Sequence, residues 1–484
     1  MIYQILLSLI GIVILVSLYY TYRFLLNLRK LRKFRGPRAL PFIGNCYDPE
    51  TIVLTKFFTR CRKTYGKVFR FFGLSMPFVV ICEPEIIRRI LTDTKAFPKG
   101  DMYSRSFGYI FGQGLVTSDG ERHKKDRGAF SKYFVRTNVA TLCPMMNRKC
   151  LEIFEQRIAK YVTKDRFTSI DVENVCAPLA LRVFSQFCTG RDLYQHDEKR
   201  EATICKVVSD GSYMVAACMT LQLPQFPLFP WTRKLDMVRN EIGKDLNTLI
   251  DSKRLEMSKL DPADTSHDDC ITQMIKDNIP ERDMYYHFIT LMCAGHDTTA
   301  FFSSYCLYVL AQYPDVQERL RKETFKVMGD RREITADDVS LMTYMKCVMQ
   351  ETLRLFAIIP NLSRYCVDEY EFKDFNITIP AGTNVIIPMG IINRDPEVWP
   401  NPQEFNPDRF EGTEMTCAKK GFFPFGYGSR VCIGNSLAQL ESSIFIAHLL
   451  MSYSFQPDPS YKLKICSGIS LTTFEHIMIQ AKRL

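Results

Sequence analysis

Several familiar signatures are missing from this 484-residue chain. Its 17 cysteines are odd in number and include no C-x-x-C pair. That pattern argues against a disulfide framework and for a reducing compartment. No G-x-G-x-x-G and no P-loop occurs, so the chain has no cradle of its own for a nicotinamide cofactor. Lys and Arg number 63 against 53 Asp and Glu, a formal charge of +10. This surplus is modest for the length, and no basic stripe interleaved with aromatics accompanies it, so nucleic acid is excluded as a partner. An acidic protein or an anionic membrane surface fits the charge better. No 20–50-residue repeat and no low-complexity tract is present.

Charge is also absent from residues 1–22, which are dominated by Ile, Leu, Val and Tyr. About 20 apolar residues span a bilayer, and tyrosines favour its interface. Arg23, Arg29, Lys30, Arg32, Lys33, Arg35 and Arg38 follow at once. There is no basic region before the apolar run and no small-residue cleavage site after it, so residues 1–22 read as an uncleaved anchor. Cationic flanks stay cytoplasmic, so the expected arrangement is single-pass in the endoplasmic reticulum membrane, with the rest of the chain in the cytosol. Residues 23–45 read as a basic, proline-rich linker, stiffened by Pro37 and Pro41.

The remainder, 46–484, shows no internal boundary and reads as one domain, mainly α with a minor β part. Val68–Phe72 and Phe78–Cys82 predict a hairpin around a turn containing Gly73 and Pro77. Tyr285–Gln312 predicts a long helix stopped by Pro314. The segment 221–231 is apolar and carries three prolines, so it predicts an exposed lid or membrane contact. Ser118-Asp119-Gly120-Glu121 predicts a capping box opening a helix, on which His123 and Arg127 lie four apart and share a face.

The densest signal runs from Phe425 to Gly434. Gly426, Gly428 and Gly434 permit a tight loop, because glycine takes φ > 0 without steric cost. Such a loop can aim N–H groups at the sulfur of Cys432. Arg430, two residues away, suits a carboxylate on a cofactor, and Phe425 can shield the sulfur from water. The spacing F-x-x-G-x-R-x-C-x-G resembles the haem-ligand loop of the cytochrome P450 monooxygenases, whose proximal thiolate favours O–O cleavage. Three further elements occur in that family's order. Ala294-Gly295-His296-Asp297-Thr298-Thr299 resembles its oxygen-activation motif, in which the first threonine, here Thr298, directs protons beside an acid, here Asp297. Glu351-Thr352-Leu353-Arg354 and Pro407-Asp408-Arg409-Phe410 resemble its E-x-x-R and P-E-R-F elements, which imply a buried triad of Glu351, Arg354 and Arg409. His123 stands where the family usually has Trp.

The resemblance spans nearly all of 37–484 and implies the cytochrome P450 fold with haem b (iron protoporphyrin IX) held by Cys432. It implies that His123, Arg127, Arg364 and Arg430 serve the haem propionates, and that Phe425, Gly434 and Ala294 lie against the ring. It implies electrons from an NADPH-dependent flavoprotein, cytochrome P450 reductase, with cytochrome b5 as a second donor. Lys124, Lys125, Lys419 and Lys420 are candidates for the docking face. The implied reaction is insertion of one oxygen atom from O₂ into an apolar substrate. The segments 111–116 and 294–299 look like those of fatty-acid and sterol hydroxylases. Candidate pocket residues are Phe107, Phe111, Leu291, Ala294, Ile358, Ile359 and Ile469, which describe an apolar cavity. Two other functions fit the fold: a reductase-independent lipid-peroxide isomerase or dehydratase, and a non-catalytic haem- or lipid-binding membrane protein.

Overall fold

The computed structural model describes residues 2–220, 229–259, 269–412 and 420–484. Lys419 and residues 221–228 of the proline-punctuated segment lie outside these. Nine helices carry what concerns the site: α1 (Ile2–Lys30), α2 (Gly100–Phe111), α3 (Gly120–Ser131), α4 (Glu173–Thr189), α5 (Glu198–Thr220), α6 (Pro230–Met257), α7 (Glu281–Gln312), α8 (Thr343–Leu355) and α9 (Asn435–Ser452). Eleven short strands accompany them.

The largest sheet has the order β1-β2-β7-β4, from β1 (Val68–Gly73), β2 (Met76–Ile81), β4 (Leu362–Cys366) and β7 (Thr383–Ile387). β1 and β2 form an antiparallel hairpin, β2 runs parallel to β7, and β4 is antiparallel to β7. The turn is made by Leu74, at φ 52°, and Ser75. Pro77, expected in the turn, instead lies within β2 opposite Phe72, one residue ahead of the first pair with β7 at Phe78. A proline is tolerated there because no neighbour asks for its N–H. A second sheet orders β3 (Thr168–Asp171), β11 (Met478–Arg483) and β8 (Tyr453–Pro457). Two hairpins complete the set: β5 (Tyr370–Phe372) with β6 (Ile377–Ile379), and β9 (Ile465–Ser467) with β10 (Leu471–Thr473).

The buried apolar side chains fall into two clusters, a larger helical one and a smaller one on the four-stranded sheet. α7 is the axis of the first. Glu281 and Asp283 in its first turn favour its start, and Tyr313 ends it because Pro314 opens the next helix. α4 crosses α7 closely at Gly295, where an added Cβ would lie 2.1 Å from the Phe184 ring. Gly295 thus admits a neighbouring helix, and α7 runs unbroken through it. α9 is buried along most of its length, from Leu437 to Leu450.

α1 continues past the uncharged run to Lys30. Its outer residues are exposed, Ile12 to Val16 among them, while Phe24 and Leu31 beyond are buried. Phe24 packs on Phe72 with ring centroids 5.4 Å apart. Among the described residues, α1 contains the one segment long and apolar enough to cross a membrane, Ile10–Lys30 with mean hydropathy 1.4.

Candidate active site

The cysteine loop is shaped by backbone. Gly426 and Gly428 adopt φ 78° and 72°, and a Cβ on Gly428 would come 2.7 Å from the Leu91 carbonyl oxygen. The Gly426 N–H donates to Phe423 O (2.9 Å), and the Cys432 N–H donates to Phe425 O (2.8 Å). Gly434 departs from expectation: its φ is −83°, and it is the residue from which α9 starts. Its role is its N–H, which hydrogen-bonds the Cys432 sulfur. Burial pushes the Cys432 thiol up, opposed by the Gly434 N–H and the Arg127 charge. Because Cys432 is itself exposed to the cavity, a metal placed there could stabilise its thiolate.

Cys432 opens onto a cavity of ≈ 360 Å³. Ala294, Asp297 and Thr298 on α7 line the same cavity. Thr298 Oγ1 donates to the Ala294 carbonyl (2.7 Å), the bond a helical threonine makes four residues back. Phe107 and Phe111 on α2, Leu291 on α7, Ile358, Ile359 and Ile469 line the cavity, as do Phe425 and Gly434. Asp297 is buried, and its carboxyl is raised to about 6 by burial, partly offset by hydroxyl donors from Ser470 and Ser212. His296 is buried on the same helix and is held down to about 4 by desolvation.

Cations gather at one edge. Arg364 on β4 and Arg430 line the cavity together with Lys99, which sequence reading missed. Lys99 Nζ donates to Val116 O and lies 4.8 Å from the Tyr103 ring centroid. A lone lysine before Gly100 carries no periodic or motif signal. His123 and Arg127 on α3 stand behind the lining residues, where Arg430, Lys99 and Arg127 add to burial in holding His123 down to about 4. Neutral His123 keeps one N–H to donate. Arg430 donates to Ser118 O (2.7 Å) and pairs with Asp119. The predicted capping box is absent because α3 takes Asp119, not Ser118, as its N-cap, and Glu121 pairs with Lys124. The Asp119 carboxylate accepts from Arg430 and from the Lys99 backbone N–H (3.2 Å), and makes no cap bond to α3.

Beneath the cavity, Arg354 donates to both oxygens of Glu351 (2.6 and 2.8 Å), and Arg409 Nε donates to Glu351 Oε1 (3.0 Å). The Asn406 N–H adds a bond to Glu351 (2.8 Å). Arg354 also binds the carbonyls of Asn393, Pro402 and Glu404 (2.8, 2.8 and 3.0 Å). One ion cluster thus ties α8 to the long segment leading to Cys432. Asp408 stays outside it and pairs with Arg319 (2.6 Å). Of the candidate docking lysines, Lys124 pairs with Glu121 (2.6 Å) and Lys420 lies 5.1 Å from the Trp399 ring centroid.

Lys99, Arg127, Arg364 and Arg430 converge here, and Asp119 is the one carboxylate acting on Lys99, Arg364 and Arg430. Guanidinium stays charged even where burial opposes it, so among the described residues this edge carries more cationic charge than the Asp119 carboxylate balances. The residues present fit a flat apolar group that carries two carboxylates and takes sulfur as a ligand. Such a cavity describes the haem-thiolate proteins.

Comparison with known sequences agrees. The chain belongs to the Cytochrome P450 family, whose profile matches residues 34–476. It is similar to Cytochrome P450 3A16 of Mus musculus, 26% identical over 486 residues that cover 94% of this chain and 92% of that one. Cytochrome P450 4d2 of Drosophila melanogaster is 26% identical (89% and 90% covered), and Cytochrome P450 72A11 of Arabidopsis thaliana 26% (86% and 82%). Equal identity to three branches favours none of them. The family holds haem through a cysteine thiolate and carries out monooxygenase chemistry in general. Together with these relatives, the apolar α1 supports association with a membrane.

Proposed function

We propose that this protein is a membrane-anchored monooxygenase of the endoplasmic reticulum. It inserts one oxygen atom from O₂ into an apolar substrate, a fatty acid, sterol or xenobiotic. An NADPH-dependent reductase supplies electrons, with cytochrome b5 assisting, and the domain beyond the anchor faces the cytosol. The observation that carries this reading is that Cys432 and the Asp297–Thr298 pair line one apolar cavity.

In this reading Cys432 holds the haem, whose chemistry is the reductive activation of O₂. Gly434 and Arg127 stabilise the sulfur's negative charge. Arg364, Arg430, Arg127, Lys99 and His123 hold the propionates through charge-assisted bonds, which are the strong kind. Thr298 presents a hydroxyl to the cavity beside the acid Asp297. Proton transfer from a positioned side chain contributes typically 10²–10⁴-fold. The apolar wall from Phe107 to Ile469 orients substrate by exclusion of water. Glu351, Arg354 and Arg409 hold the segment under the cofactor.

The test is mass spectrometry of a lipid extract incubated with the purified full-length protein, reductase and NADPH. The expected product is heavier by one oxygen, depends on NADPH and is lost in Thr298→Ala. Rearranged hydroperoxides formed without NADPH would replace this reading with the isomerase. Turnover unchanged in Thr298→Ala would remove the threonine's role.

A further inference from the structure

Asp297 and Thr298 are sequence neighbours, yet their hydroxyl and carboxyl have different partners. Thr298 donates to Ala294 O, whereas Asp297 Oδ2 accepts from the hydroxyl of Ser470. Ser470 is 1% exposed and belongs to the turn joining β9 to β10. Its Oγ lies 3.3 Å from the Oγ of Ser212 on α5, and Ser212 also bonds the Asp297 carboxyl. The turn presses on α5: a Cβ at Gly468 would come within 3.5 Å of Tyr213 Cα and 3.6 Å of Ser212 Oγ. Ser212 is half-buried and its neighbour Tyr213 is 51% exposed. A row of hydroxyls therefore leads from Ser212 on α5, at the cavity wall, through Ser470 to a buried acid.

The other groups around Asp297 leave that row without competition. Glu173 on α4 acts on its carboxyl, and Asp297 in turn acts on Cys293 and Tyr305 of α7. No cation is among the groups acting on Asp297 within the described residues. A buried carboxyl is ordinarily paired with a cation; this one is held by two hydroxyls, which both donate and accept.

We propose that Ser470 and Ser212 are positioning residues that hold the Asp297 carboxyl off Thr298 and return its proton from the α5 side. The proposal rests on the roles given above to Asp297 and Thr298. After the carboxyl turns and gives its proton to Thr298 Oγ, which releases its own into the cavity, Asp297 is left ionised. Its Oδ2 then takes the proton of Ser470 Oγ–H, Ser470 takes that of Ser212, and Ser212 takes one from a hydronium ion, which is left as water. Each hydroxyl oxygen breaks one O–H bond and forms one, so no charge remains on the serines. α5 thereby takes part in proton supply, and its position over the cavity sets whether the row is continuous.

Infrared difference spectra of the full-length holoprotein, taken against Asp297→Asn, isolate the Asp297 carboxyl band and its pH midpoint without turnover. Loss of a hydroxyl donor disfavours the charged form, so Ser470→Ala and Ser212→Ala are expected to raise that midpoint, and Ser470→Thr to restore it. In parallel, hydrogen peroxide released per NADPH oxidised is measured with reductase, O₂ and dodecanoic acid as the apolar probe. It is expected to rise severalfold in both alanine variants and return in Ser470→Thr. An unmoved midpoint overturns the positioning, and a moved midpoint with unchanged peroxide yield overturns the proton supply. If the wild type oxidises no NADPH, the monooxygenase reading fails, and the midpoint still decides whether the serines hold Asp297.

Discussion

At the scale of residues, burial decides the chemistry more than sequence neighbours do. Asp297 ionises near 6 in the fold because desolvation outweighs two hydroxyl donors, against about 3.9 in an unfolded chain. Between those values the folded state binds the extra proton, so ionisation of Asp297 lowers stability as pH rises from about 4 to 6. The full effect, on the order of 3 kcal/mol, is then present at pH 7. Asp297→Asn is expected to remove that fall, and denaturant titrations of both proteins from pH 4 to 7 measure the difference. His123, His287, His296 and His448 act in the opposite sense. Each is held down to about 4, so the unfolded chain protonates first and stability is lost as pH falls from about 6.5.

At the scale of elements, two contacts fix the frame around the cavity. The α4–α7 crossing depends on Gly295, because the Phe184 ring occupies the space of a Cβ. Gly295→Ala is expected to destabilise by about 1–3 kcal/mol through overpacking. Phe184→Leu in the same chain recovers part of it if the ring is the cause, and thermal unfolding of both variants checks this. The second contact is the Glu351 cluster. Glu351 and Arg354 are both fully buried, so Glu351→Gln leaves a buried guanidinium uncompensated. Breaking a buried pair costs about 3–5 kcal/mol, and the expected outcome is poor recovery of folded protein, judged by circular dichroism and haem content.

At the scale of the whole molecule, the anchor and the domain are not joined by a loose tether. α1 carries Phe24 into the core of the four-stranded sheet, and Leu31 and Phe34 follow beyond its end. Asn27 also reaches Ser75 O (3.4 Å). A chain starting at residue 23 keeps these contacts, whereas one starting at residue 36 loses three buried side chains of roughly 1.5–3 kcal/mol each. The first is expected to leave the membrane and remain folded, and the second to lose stability by several kcal/mol. Membrane flotation and chemical denaturation of the two truncations separate the outcomes.

Sequence alone determined the helical class, the long α7, the cysteine loop and the one-turn spacing of Glu351 and Arg354, while Arg409 as their partner came from resemblance to a family. The first four rest on local spacing: glycines at turns, an acid and a base one helical turn apart, an apolar run ended by proline. The pocket residues were legible only through resemblance to a family, since an apolar side chain looks the same in a core and in a cavity wall. Tertiary structure decided what spacing cannot encode. Lys99, just ahead of α2, lies close enough to Arg364 and Arg430 for their charges to act on it, Asp119 pairs with Arg430 across 311 residues of chain, and Gly295 yields room to Phe184. Ser470 meets Asp297 across 173 residues of chain. Such contacts join single residues that no period or motif marks, and only the packing of helices brings them within reach of one another.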